Sequence, residues 1–267
     1  MEAKLIRFFV YFFSFITFAS LLYIIGFIFI NGISALSPEM FAWKYTTSNV
    51  SMMPAIITTF IVVFFALLIA APIGVFTAFY LIEYADANNK FINIIRVATD
   101  TLSGIPSIVY GLFGMLFFVL FLGFQYSLIA GILTSVIMVL PVIIRSTEEA
   151  LLSVNVSLRE GSFALGAGKL RTIFRVVLPV AMPGILSGVI LAVGRIVGET
   201  AALMYTLGTS TNLPTDAFQS GRTLALHMYV LSSEGMHVRE SYATGVVLII
   251  LVLIINAIST WLSNRLT

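Results

Sequence analysis

A polytopic, all-α membrane protein is the fold class this sequence predicts, and three observations predict it. Hydrophobic residues make up 60% of the 267 residues and charged residues only 10%, with a mean hydropathy of +1.07. Soluble domains carry about a quarter charged residues to cover their surface, so a chain this poor in charge has no water-facing shell. The apolar residues also gather into six long runs. Each approaches the length, about 20 residues, at which a helix closes its own hydrogen-bond ladder across hydrocarbon. Finally, basic residues fall unequally between alternate loops.

The first run, about 8–30, follows Lys4 and Arg7 and is rich in phenylalanine. A cleaved signal peptide shares that charge order, but its apolar region is about 7–15 residues long and ends at a small-residue site. This run is longer and ends in Asn31-Gly32-Ile33, so an uncleaved first span is expected. The others cover about 55–82, 105–124, 126–144, 182–208 and 241–262. Only Gly123-Phe124-Gln125 separates the third from the fourth, which predicts a tight antiparallel hairpin. No linker divides the chain, so residues 1–267 are expected to form one transmembrane domain.

Orientation follows from charge. With the N-terminus inside, the cytoplasmic face carries Lys4, Arg7, Lys90, Arg96, Arg145, Arg159, Lys169, Arg171, Arg175 and Arg265. The outer face then carries only Lys44, Arg222 and Arg239. The positive-inside rule puts both termini and the loop 145–178 in the cytoplasm, and the loop 209–240 outside. A net charge of +2 with no basic tail gives no sign of a nucleic-acid partner. Cysteine is absent, which excludes disulfides and thiolate metal centres. His227 and His237 lie in one polar loop without further ligands around them, so no metal site is expected.

Within the inner loop, residues 160–179 read EGSFALGAGKLRTIFRVVLP. Gly166 breaks a helix-forming run and takes a left-handed conformation at little cost. Ala164, Leu165, Leu170 and Ile173 supply apolar anchors at helical spacing, as in a helix that lies in a partner's groove. Pro179 and Pro183 suit the start of the following helix. An ordinary basic loop explains the charges but neither the glycine nor the anchors. A surface gripped by a soluble partner is expected. No G-x-x-x-x-G-K-[ST] run is present, so any nucleotide is expected on another subunit.

Arg195 and Glu199 stand in GRIVGETAAL, near the middle of the fifth run. A charge at that depth costs about 2.5–3.5 kcal/mol on insertion scales. Four residues apart on a helix they share a face, and one reading is a structural ion pair. Base before acid is the less favourable order, however, and buried pairs often do no better than apolar replacements. A water-filled path is the more economical account. With Thr200 the two charges suit a protonated oxyanion: arginine donates, and the carboxylate accepts from an acidic O–H. Sulfate offers no such proton, so phosphate is favoured. Arg145 and Glu148 form a second pair where the fourth run meets the cytoplasm. Snorkelling with helix capping, and a role in the path, are both open there. No nucleophile–base pairing stands in the apolar runs, and an enzyme is not expected.

The inner loop resembles the coupling loop of ABC-importer permeases, whose pattern is Glu-Ala-Ala, Gly, then Leu-Pro. Glu160, Gly166, Leu178 and Pro179 match, Ala167 follows the glycine, and Gly161 and Ser162 replace the two alanines. Pro54–Tyr84, Gly104–Gly114, 140–151 and 194–208 resemble phosphate-uptake permeases in the same order. Met182-Pro183-Gly184 and the Glu-Thr-Ala-Ala at 199–202 are more similar to their A-type subunit, within the type I importer family.

That resemblance implies six transmembrane helices with a coupling-helix loop, in the plasma (inner) membrane of a prokaryote. It implies a second, homologous permease, two copies of an ATP-binding subunit that carries the ATP and Mg, and an extracytoplasmic phosphate-binding protein. No cofactor is then bound by this chain. It assigns Arg195 to the phosphate path and 160–179 to the ATPase contact, working by alternating access. A permease for sulfate or molybdate, or an ion-coupled secondary carrier, is the alternative. In the outer loop, Arg222, Leu224, Leu226 and Tyr229 read as a short amphipathic helix, either touching the binding protein or capping the pore.

Overall fold

The computed structural model describes residues 2–86 and 89–266, and among them the regular elements are all helical. Helix α1 runs Glu2–Ile33; α2 runs Met53–Phe79 and continues as a π-turn, Tyr80–Tyr84; α3 is Lys90–Ser103. Helix α4, Ser107–Gly114, passes into a π-helical stretch, Met115–Phe121, and α5 follows over Leu128–Leu152. Two short helices come next, α6 Val156–Ala164 and α7 Lys169–Thr172, then a π-turn Ile173–Val177 that leads directly into α8, Leu178–Val197. The chain closes with α9 Ala201–Met204, α10 Leu224–Glu234 and α11 Val238–Leu266. The side chains of Lys4 and Arg265, used above for orientation, lie outside the described residues.

Local chemistry explains the helix starts. Asn89, Ser127 and Asn155 accept hydrogen bonds from the N–H groups of Phe91, Ala130 and Ser157, so α3, α5 and α6 begin on capped turns. Pro54 sits in the first turn of α2, where its missing N–H is harmless. The α4–α5 hairpin closes as expected, with Gly123 and Gln125 both at positive φ.

The core is built from α2, α5, α8, α9, α10 and α11 around Val62, Met138, Ile143, Ile196, Leu203 and Leu224. Small residues bring these helices together. A Cβ on Gly188 of α8 would collide with Ser146 of α5, so only glycine permits that approach. Helix α1 packs along α11, and none of its most apolar window is buried.

Among the described residues, five helices are long and apolar enough to cross a membrane: Leu5–Ile33, Met53–Tyr84, Leu128–Leu152, Lys169–Val197 and Val238–Trp261. The remaining crossing is broken. Helix α3 meets Ser107–Phe121 at 107°, and Pro106 stands at the corner. Helix α3 is amphipathic, with Ile92 and Thr99 inward and Phe91, Ile94 and Val97 outward, and it fills much of the stretch between the second and third expected runs.

Two expected boundaries are corrected. The fourth span does not stop near 144 but continues to Leu152, which puts Arg145 and Glu148 inside a helix. The fifth is not 182–208: it begins at Lys169 and ends at Val197. Residues 201–208 are apolar because Ala202, Leu203 and Leu207 are buried in protein. Pro179 and Pro183 accordingly lie within a continuous helical span rather than at its start. The π-turn before Leu178 re-registers the hydrogen bonds where Pro179 cannot donate.

Candidate functional site

Arg195 occupies the last turn of α8, where a cation complements the exposed carbonyls of the helix end. Helical side chains lean toward the N-terminus, so the guanidinium reaches back along the span. It lines a cavity of about 560 Å³ with Val142 of α5, Ser187 and Ile190 of α8, and Asn256 of α11. Among the described residues it makes no ion pair or hydrogen bond. A half-exposed guanidinium beside an amide and a hydroxyl is a donor-rich lining suited to an anion.

The expected partners of Arg195 are elsewhere. The helix ends at Val197 and Gly198 is its cap, so Glu199 is not on the same helical face, and no Arg195–Glu199 ion pair forms among the described residues. Glu199 is buried and accepts from the Ala202 N–H at 3.0 Å, which starts α9. Thr200 lines a different cavity, about 550 Å³ and largely apolar, with Tyr205, Tyr229 and Tyr242.

Arg145 and Glu148 are brought together, within a larger network. Arg145 lies 3.1 Å from Glu149, 3.6 Å from Asp100 and 4.0 Å from Glu148. Arg96 of α3 approaches Glu148 at 3.9 Å and donates to the Leu81 carbonyl at the end of α2. Arg96 and Asp100 were not singled out from the sequence. The amphipathic period of 90–103 was the signal that would have found them.

The loop expected over 145–178 is shorter than that, since helix fills its ends. Gly166 takes φ +82°, the left-handed turn expected of it, and joins α6 to α7. Ser162 and Thr172 share a hydrogen bond of 2.9 Å across that turn. Glu160 is exposed on α6, Ala167 is half-buried in the turn, and Leu178 and Pro179 lie in the first turn of α8. Leu165 is 91% exposed, and Phe163, Leu170 and Phe174 are also open. A concavity of about 620 Å³ beside them presents Arg171 and Arg175.

The outer loop differs from expectation. Helix α10 is not a surface amphipath: Leu224, Leu226 and His227 are fully buried against the core. Arg222 is 5% exposed and stacks over the Tyr45 ring at 4.9 Å. Burial, with the Arg222 charge beside it, pushes the His227 imidazole down to about 3.

Membrane-length helices, with one crossing broken, thus carry among the described residues a cation without an ion pair on a cavity between α5, α8 and α11. The chain belongs to the family of binding-protein-dependent transport system inner membrane components, whose model matches residues 70–267. It is 36% identical over 264 residues to the probable ABC transporter permease protein YqgI of Bacillus subtilis (strain 168), covering 92% of this chain and 90% of that one. It is 39% identical over 194 residues to the phosphate transport system permease protein PstA of Mycobacterium leprae (strain TN), covering 72% of this chain and 63% of that one. A structure of the MetNI methionine ABC transporter in inward-facing conformations shares the fold, with a TM-score of 0.62 and 24% identity over 80% of this chain and 93% of that one.

Proposed function

We propose that this chain is one of two membrane subunits of an ATP-driven phosphate importer, with both termini in the cytoplasm. The substrate is read from the relative named as a phosphate transport permease, 39% identical over 72% of this chain. The observation that carries the path is the position of Arg195, a cation without an ion pair among the described residues, on a cavity between α5, α8 and α11. A guanidinium with no carboxylate at hand keeps its donors for a passing oxyanion. Glu199 is held by the Ala202 N–H, so its part is to fix the break after α8 rather than to receive the ligand's proton.

The inner loop is the contact for a separate ATP-binding subunit, present in two copies, on which ATP and Mg are held. Its open apolar residues and its Arg171 and Arg175 rim form the docking surface. A second permease closes the cavity from the far side, and an extracytoplasmic phosphate-binding protein delivers the anion. Ligand and nucleotide shift the inward and outward forms only through unequal affinity for them. This chain positions, gates and supplies the field, while hydrolysis takes place on the partner.

The test is uptake and ATP turnover by the complete transporter in vesicles, with phosphate, sulfate and molybdate compared. Phosphate alone should stimulate turnover. Equal stimulation by sulfate would remove the substrate assignment, and uptake that ignores ATP but collapses with an uncoupler would indicate an ion-coupled carrier.

A further inference from the structure

Two residues at the inner end of α2 are held by the coupling loop from both of its halves. Arg159 of α6 donates to Glu83 at 3.1 Å, and both side chains are largely shielded from solvent. The same guanidinium donates to the Leu151 carbonyl at 2.9 Å, in the last turn of α5, and to the Val154 carbonyl at 3.1 Å, just beyond it. One residue further along, the Tyr84 ring receives Lys169 of α7, whose Nζ lies 4.6 Å from its centroid. Three elements therefore meet at one point: the π-turn of α2, the C-terminus of α5 and the coupling loop.

Apolar packing backs the polar contacts. Phe79 and Ile82 of α2, Leu151 and Val154 of α5, and Ile173 and Val177 at the base of α8 form one cluster directly beneath them. Glu83 sits in a π-turn, a stretch whose hydrogen-bond register already departs from the α-helix. A grip at such a turn bends the helix more readily than a grip in its regular part. A half-buried guanidinium shared between a carboxylate and two carbonyls is directional, so it transmits rotation as well as translation.

We propose that Glu83–Arg159, seconded by Tyr84–Lys169, is the joint through which movement of the coupling loop reaches α2. The inference rests on the importer reading above and adds positioning residues to it. Glu83 and Arg159 touch neither anion nor nucleotide, and act by keeping the loop and α2 in step.

The experiment uses the complete reconstituted transporter, with phosphate uptake and ATP turnover measured on the same vesicles. Glu83→Ala should lower phosphate moved per ATP by about tenfold, a usual size for coupling between two sites, with turnover within about twofold of the parent. Glu83→Asp should recover part of the ratio. A merely structural contact would reduce both rates together, and an unchanged ratio overturns the joint. Should Glu83→Ala fail to assemble, the solvent-facing Lys169→Met decides in its place, with a drop of about threefold expected by the same reasoning and an unchanged ratio fatal. ATP-independent uptake by the parent transporter would instead overturn the importer reading on which the joint depends.

Discussion

Arg145 and Arg195 look equivalent as letters in two apolar runs, yet their surroundings are opposite. Arg145 stands among Asp100, Glu148 and Glu149, with Arg96 adding a second cation to the same group. Arg195 has no carboxylate against it among the described residues and borders an open cavity. A guanidinium that already faces three acids has no net field left for an anion, whereas an unshared one has all of it. The difference teaches that an intramembrane arginine is informative only once its neighbours are counted.

Substitutions test that contrast in descending order of effect. Arg195→Gln should lower phosphate uptake by at least about 100-fold, the size of losing one charged partner to a desolvated ligand, while the complex still copurifies. Gly188→Val should lower stability by about 1–3 kcal/mol through overpacking against Ser146, read as a lower Tm of the detergent-solubilised complex. That change wedges apart the two helices that carry the two arginines. Arg145→Gln should lower uptake by less than about tenfold, because half-exposed pairs contribute modestly and Arg96 stays beside Glu148. A loss at Arg145 equal to or larger than that at Arg195 would invert the comparison.

A third arginine extends the series. Arg222 is buried on Tyr45, and burial, seconded by the Arg222 charge, holds the folded-state pKa of the neighbouring His227 near 3, below the unfolded value of about 6.5. The unfolded chain therefore takes up the proton first as pH falls. The stability contributed is full above about pH 6.5 and is lost progressively from there toward pH 3. At pH 5.5 that loss is about 1 kcal/mol. His227→Leu should remove this part of the acid sensitivity, measured as the difference in Tm between pH 7 and pH 5.5.

Much of the fold was legible because hydropathy and length are local properties. The first, second and last spans, the Gly123–Gln125 hairpin and the left-handed Gly166 all follow from residues near in sequence. The ends of the fourth and fifth spans were not legible, since apolar residues buried by protein, such as Leu203 and Leu207, look like residues buried by lipid. Helix α3 was missed because half its face is polar and its other half is apolar, which lowers its mean hydropathy below that of a span. The separation of Glu199 from Arg195 turns on Gly198 ending a helix, a choice that tertiary packing makes. The contact between Arg159 and Glu83 joins residues 76 apart, and no periodicity announces it.

The unbroken run from Lys169 to Val197 has a mechanical consequence. Its foot lies at Lys169, beside the Gly166 turn, and its head carries the Arg195 guanidinium, roughly 39 Å away at 1.5 Å per residue. A tilt of about 10° at the foot sweeps the head through roughly 7 Å on a rod of that length. Leverage of this kind turns a small displacement at one end of the span into a step as wide as a hydrated ion at the other.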